Sequence, residues 1–171
     1  MKVSHEVPKV LLNNSREFND YDYCLPHLLD KDEQYKEFFY ESKRQGRYII
    51  MDNSLHELGK AYNHERLLHW ITELEPDEFI VQGEDKIKAH LCASLIRDLG
   101  YDKLCISYGA DWYGDTPLNK ALGRINFVKE LLEDKRYKNT KFHLLGCAVP
   151  QEFGWYRNEP QIESIDTSNP I

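Results

Sequence analysis

Short apolar runs alternate with amphipathic stretches along nearly the whole chain. Residues 10–12 and 21–25 are the first runs, divided by a polar stretch at 13–20, and both read as short strands. Asp30, with Glu33 three residues on, reads as a capping box. It would open a helix that carries Tyr35, Phe38 and Phe39 on one face and closes at Gly46. Residues 47–51 show no alternation, as a strand buried on both faces would. Asn63 is placed to cap a helix with Leu67, Leu68, Ile71 and Leu74 on one side, stopped by Pro76. The strand at 78–81 runs into Gln82-Gly83. Asp85 then caps a helix with Ile87, Leu91, Leu95 and Leu99 at steps of four, closed by Gly100. Residues 103–107 form a strand ending at Tyr108-Gly109. Thr116-Pro117 opens a helix whose stripe is Leu118, Leu122, Ile125, Val128 and Leu132. Two more runs, 142–145 and 162–165, read as buried strands.

This order of strand, helix, strand implies an α/β protein with a parallel βα repeat and right-handed crossovers. No linker, low-complexity tract or long internal repeat divides residues 1–171, so a single domain is expected. At 171 residues such a domain has room for a sizeable core, and 41% hydrophobic with 30% charged residues marks a globular chain. No apolar run reaches the length of a membrane helix, and the first ten residues lack the apolar segment of a signal peptide. Cys24, Cys92, Cys105 and Cys147 are far apart with no CxxC pair, and Cys24, Cys105 and Cys147 lie in or beside expected strands, which suits reduced buried thiols and a cytoplasmic location. A net charge of −7 argues against a generally basic nucleic-acid binder. The cluster Lys135, Arg136, Lys138 and Lys141 suits phosphates but is more often a solvated helix end and loop.

In parallel α/β folds chemistry gathers where strands end. The residues expected there are Asp52-Asn53-Ser54, Gln82-Gly83, Tyr108-Gly109-Ala110-Asp111, Gly146-Cys147 and Asp166-Thr167. A lone Asp at a strand end usually serves an Asx turn or a helix cap. Here two acids share that setting, Asp52 and Asp166. Two carboxylates across a sugar suit glycosidic chemistry, one attacking the anomeric carbon and the other moving protons. The glycines let backbone groups approach a planar ligand edge.

LLGCAVPQEF followed by SIDTSNP resembles the tRNA-guanine transglycosylase superfamily, through Leu144, Gly146 and Pro150, then Asp166 and Pro170. VQG at 81–83 is similar to that family's base-binding segment, with Glu84 in place of a second glycine. MDNS at 51–54 is similar to the segment bearing its second catalytic aspartate, with Asp52 as the firm match. PHLLD, MDNSLHELG, SYGADWY and SIDTSNPI look closer to a phage branch whose members insert 7-deazaguanine bases into DNA. The resemblance implies a TIM-type barrel, here incomplete or shortened, because about six strands are legible where the barrel has eight. The last barrel strands, the zinc-binding region and one βα unit with a base-binding aspartate have no counterpart. Asp77 precedes its strand and does not take that aspartate's role.

By resemblance, Asp166 would attack C1′ of the sugar, displace guanine and form a covalent glycosyl-enzyme. Asp52 would be the general acid/base. The pair is expected to face one cleft, about 5 Å apart. Asn53, Gln82, Gly83, Tyr108, Gly109, Leu145 and Gly146 would contact substrate. No metal and no cofactor is implied. The partners would be a 7-deazaguanine base and DNA or tRNA, in the host cytoplasm for a phage protein, with no membrane; the oligomeric state is open. Two other readings stand beside this one. The first is a catalytically silent shortened relative that binds nucleic acid or a partner enzyme. The second is a nucleoside or glycoside hydrolase using the same acids with water.

Overall fold

The computed structural model describes Ser4 and residues 9–60, 62–81 and 83–166. Gln82, Thr167 and Ser168 lie outside the described residues. The chain is α/β and divides into two compact units, Met1–Ile80 and Val81–Ile171, each holding one parallel three-stranded sheet. No helix among the described residues is long and apolar enough to cross a membrane.

In the first unit, strands β1 (Asp22–Cys24), β2 (Ile49–Met51) and β3 (Glu78–Phe79) pair in that order. Cys24 registers with Met51, and Met51 with Phe79, so the carboxyl ends lie on one edge. All three β2 residues are buried, as the unbroken apolar run required. Polar groups fix the opposite ends: Arg47 donates to both carboxylate oxygens of buried Asp22 at 2.8 and 3.0 Å. Asp77 accepts the Ile49 N–H at 2.7 Å, which gives this acid a purely structural task at the strand starts.

The helices of this unit are α1 (Leu12–Ser15), α2 (Pro26–Leu29), α3 (Glu33–Arg44), α4 (Leu55–Leu58) and α5 (His64–Leu74). Asn63 caps α5, accepting the Arg66 N–H at 2.9 Å, and Gly46 takes the left-handed conformation just past α3. Two expectations are corrected. Residues 10–12 form no strand: a 3₁₀ turn over Lys9–Leu11 leads into α1, and Ser15 closes it by donating to the Leu12 carbonyl at 2.6 Å. The cap of α3 is Asp32, which accepts the Tyr35 N–H at 3.0 Å, not Asp30. The intervening α2 uses Asp30 at its own end, where the carboxylate gathers Tyr62, Arg66 and the Trp70 indole N–H.

In the second unit, β4 (Lys103–Ser107), β5 (Lys141–Leu145) and β6 (Ile162–Ile165) pair in order, with a register shift between Phe142 and His143. Residues 142–144 are fully buried, but no residue of β6 is, so the expectation of a second buried strand fails. Among the described residues, β6 is the outer strand of this sheet and pairs with β5 alone. The helices are α6 (Lys86–Asp98), α7 (Pro117–Glu133) and α8 (Gln151–Trp155). Asp85 and Thr116 cap α6 and α7 as their sequence positions predict, accepting N–H groups at 2.9 and 3.2 Å.

The buried faces of both long helices differ from the expected stripes. On α6 the inward residues are Ala89, Cys92, Ala93 and Ile96, whereas Ile87, Leu91 and Leu99 are exposed. On α7 Ile125 and Val128 are buried as expected, together with Ala121, Arg124, Phe127 and Leu131, whereas Leu118 and Leu122 are exposed. On α6 the strict step of four overshoots the 3.6-residue turn, so that stripe winds around the helix instead of staying on the core. A Cβ on Gly123 would meet the Tyr113 carbonyl oxygen at 2.3 Å. Gly123→Ala should therefore destabilise the fold by about 1–3 kcal/mol, the usual cost of overpacking, measured by urea denaturation. A change within a few tenths of a kcal/mol would show that this contact relaxes freely.

Candidate functional site

The described acids of interest each sit where a parallel strand ends. Asp52 follows β2 in the first unit, and Asp166 follows β6 in the second. Each has its own surroundings.

The Asp52 backbone still belongs to the sheet, donating to Cys24 O at 2.8 Å, and its carboxylate points among apolar and polar neighbours. Tyr23 on β1 donates its hydroxyl to Oδ2 at 2.9 Å, and the Asn53 N–H reaches Oδ1 at 2.5 Å. Burial raises the Asp52 pKa to about 6, against the pull of the Asn53 and Tyr23 hydrogen bonds. The turn that follows is tightly held. Ser54 is buried in the left-handed region at φ 54°, a conformation that strains a residue with a side chain. His27 Nδ1 lies 2.8 Å from Ser54 Oγ, and Asn53 Oδ1 accepts the Leu55 N–H at 3.0 Å to open α4. Burial and then the Lys31 charge lower the His27 pKa from 6.5, so the imidazole is neutral at pH 7. Asn53, expected to touch substrate, thus spends its side-chain oxygen on the helix start.

The raised pKa of Asp52 has a consequence for stability. A protonated Asp52 suits the fold better than an ionised one, so its contribution is full below the unfolded value of 3.8 and is lost as pH rises through about 6. Asp52→Asn removes the half-buried charge and can keep the oxygen that accepts from Asn53. It should stabilise the fold by about 2 kcal/mol at pH 7 and leave it nearly unchanged at pH 4. Thermal unfolding of both proteins at the two pH values measures this, and equal stability at pH 7 would refute the half-buried charge.

Asp166 is held by the loop after β5. The Gly146 N–H donates to Asp166 Oδ1, the Cys147 N–H donates to its carbonyl at 2.9 Å, and its own N–H bonds Leu144 O at 3.1 Å. The side chain is 38% exposed, and buried His143 places Nε2 3.7 Å from Oδ2. Gly146 makes this grip feasible by adopting φ 72°.

That loop is anchored from below by a side chain the sequence reading passed over. Arg124 of α7 is fully buried. Its Nη1 donates to Leu145 O at 2.6 Å and to Ile106 O at 3.3 Å, its Nη2 to Cys147 Sγ at 2.9 Å, and its Nε to Glu152 Oε1 at 2.8 Å. Tyr156 also donates to Glu152 Oε1, at 3.1 Å. Burial pushes the Cys147 thiol up to about 12, so it stays protonated and is no nucleophile at neutral pH. Arg124 was legible in principle: it lies three residues after Ala121 and four before Val128, on the face α7 turns inward.

Among the other expected substrate contacts, Tyr108 spends its hydroxyl on Pro117 O at 2.6 Å, and its ring lies 5.3 Å from the Arg124 guanidinium carbon. Gly109 has its N–H outside the sheet ladder, on Ser107 Oγ at 3.1 Å. Gly83 accepts the Trp112 indole N–H at 3.2 Å, and a Cβ there would strike Ala89 N at 2.3 Å, so a turn into α6 requires this glycine. Leu145 offers its carbonyl to Arg124 and to the Tyr108 N–H at 3.0 Å. Asp111 pairs with Lys120 at 3.1 Å on the surface. Of the basic cluster, Arg136 is paired with Asp134 at 2.6 Å, and Lys141 starts β5, at the opposite end from Gly146.

No family model matches the chain, and comparison with curated proteins and with solved structures finds no match. The class that fold and site define is an α/β protein with parallel sheets whose strand ends present Asp52 and Asp166. The transglycosylase resemblance rests on the sequence segments that carry it.

Proposed function

We propose that this protein is a base-exchange transglycosylase that replaces guanine in nucleic acid, DNA ahead of tRNA, with a 7-deazaguanine derivative. In this reading the βα repeat is a shortened TIM-type barrel, with Asp166 as the nucleophile and Asp52 as the general acid/base. The observation that carries it is the unlike setting of two acids at strand ends. Asp52 is half-buried with a pKa near 6, suited to giving and taking a proton at neutral pH, while Asp166, also half-buried, is fixed by a backbone N–H.

The steps balance without a cofactor. An Asp166 oxygen attacks C1′, the bond from C1′ to guanine N9 breaks, and the departing base takes its proton from Asp52. The incoming base then gives a proton to ionised Asp52, its ring nitrogen attacks C1′, and the bond to Asp166 breaks. Glycosidic bond energy is retained throughout.

The test is incubation of the full chain with a labelled 7-deazaguanine precursor and, in parallel, guanine-containing DNA or unmodified tRNA. Label entering DNA supports the reading as stated, and label entering tRNA alone moves its substrate. Free guanine released without an acceptor base would make the protein a hydrolase. Neither release nor incorporation, from a folded protein, would overturn the reading in favour of a silent relative.

A further inference from the structure

Ser54 is strained, and it lies only two residues after Asp52. It is fully buried at φ 54° and ψ 23°, a left-handed conformation that a residue with a Cβ adopts only when its surroundings hold it. Its polar groups supply that hold. The Ser54 carbonyl accepts the Leu58 N–H at 3.1 Å, its own N–H approaches the Asp52 carboxylate, and its Oγ lies 2.8 Å from His27 Nδ1. Of these, only the His27 contact reaches back to the turn after β1, the strand beside β2. Pro26 opens α2 there, and the Leu25 N–H donates to Tyr35 Oη at 2.9 Å, so the imidazole stands on a fixed backbone. Burial and the Lys31 charge keep the ring neutral at pH 7, and a neutral ring can accept the Ser54 hydroxyl at Nδ1.

We infer that His27 and Ser54 are positioning residues for Asp52: their contact holds the turn in its strained shape, and that shape keeps the Asp52 carboxyl folded away from water. Neither side chain needs to touch substrate. The pair bears on base exchange only through the reading above, in which Asp52 is the general acid/base. Asp52 faces Tyr23 and Cys24 on β1 and Glu57 on α4, and His27 faces Lys31, Asp30 and the same Glu57. Burial outweighs each of these influences on Asp52, so a turn that opens should lower its pKa towards 3.8. Glycine adopts φ 54° without strain, so with glycine at this position the His27 contact would have nothing left to hold.

The test is a pH titration of the full chain, followed by the carboxyl carbon chemical shift of Asp52 in aspartate-labelled protein. The unmodified chain should titrate at about 6. Ser54→Ala keeps the strain of a Cβ but loses the hydroxyl, and its midpoint should fall by about one pH unit or more. His27→Ala should lower it similarly. Ser54→Gly loses strain and hydroxyl together, so its midpoint should stay at the unmodified value. Adding His27→Ala to Ser54→Gly should then change nothing further. Circular dichroism checks folding, and if Ser54→Ala does not fold, His27→Ala with and without Ser54→Gly decides the matter. A midpoint unmoved by His27→Ala would overturn the inference. So would a fall in His27→Ala that persists beside Ser54→Gly, because His27 would then act on Asp52 without Ser54. Where base exchange is measured, the limb of its pH profile set by Asp52 should move with the same midpoint. Titrations as expected in a protein without exchange would strike the transglycosylase reading and leave the positioning pair standing.

Discussion

Asp166→Asn should abolish the covalent sugar adduct and lower base exchange by about three orders of magnitude or more, the scale on which removal of a nucleophile acts. An amide oxygen is a very poor nucleophile toward C1′, yet it can still accept the Gly146 N–H that now meets Asp166 Oδ1. The Cys147 N–H bonds the Asp166 backbone, which the substitution leaves alone. The loop and the fold should therefore survive, and the loss should be chemical. Denaturing gels of the protein after incubation with substrate nucleic acid and a slow acceptor base would display the adduct as a retarded band. Asp52→Asn should still form some adduct but turn over slowly, because the leaving base loses its proton donor. An adduct of undiminished yield in Asp166→Asn would remove Asp166 from the reaction.

The second large effect falls on stability. Arg124→Ala strands Glu152 as a fully buried carboxylate and takes donors from Leu145 O, Ile106 O and Cys147 Sγ. Breaking a buried ion pair from one side costs about 3–5 kcal/mol, and the full expectation lies at the upper end of that range. Arg124→Met with Glu152→Met should recover much of the loss, since two apolar side chains leave no unpaired charge. Leu145 O keeps the Tyr108 N–H at 3.0 Å in either case. Urea denaturation followed by circular dichroism measures both proteins. If the double variant is no more stable than Arg124→Ala, the buried charge is not what the arginine neutralises. Because Arg124 fixes the loop that grips Asp166, the double variant should also lose activity while regaining stability.

The local rules of the chain were legible in its residues. Alternating strands and helices, the caps Asn63, Asp85 and Thr116, and the unbroken run ending at Met51 follow from side-chain chemistry within a few positions. Both acids could be placed at strand ends because an apolar run simply stops before each. Buried free thiols at Cys24, Cys105 and Cys147 also followed from their setting in or beside strands, whereas the burial of Cys92 on α6 did not.

What tertiary structure decided is which side of each element faces in, and with whom its polar groups pair. The spacing of leucines on α6 pointed to the wrong face, since Ala89, Cys92, Ala93 and Ile96 turn inward there, whereas on α7 Ile125 and Val128 are inside as expected and Leu118 and Leu122 are not. Asp30 could have capped α3 by its chemistry, but Tyr62, Arg66 and Trp70 from the segment around α5 claim its carboxylate. Asp52 reads in the sequence as one more aspartate. Its proton affinity comes from the depth at which β2 ends, which outweighs the opposing hydrogen bonds from the Asn53 N–H and from Tyr23 on the neighbouring strand. Arg124 reads as an interruption of an apolar helix. Only contacts with Leu145, Cys147 and Glu152, about 20–30 residues further on, make it the anchor of the loop that holds Asp166. Sequence periodicity carries the geometry of one element, whereas pairing of buried charges depends on several elements meeting, and that is settled only when they pack.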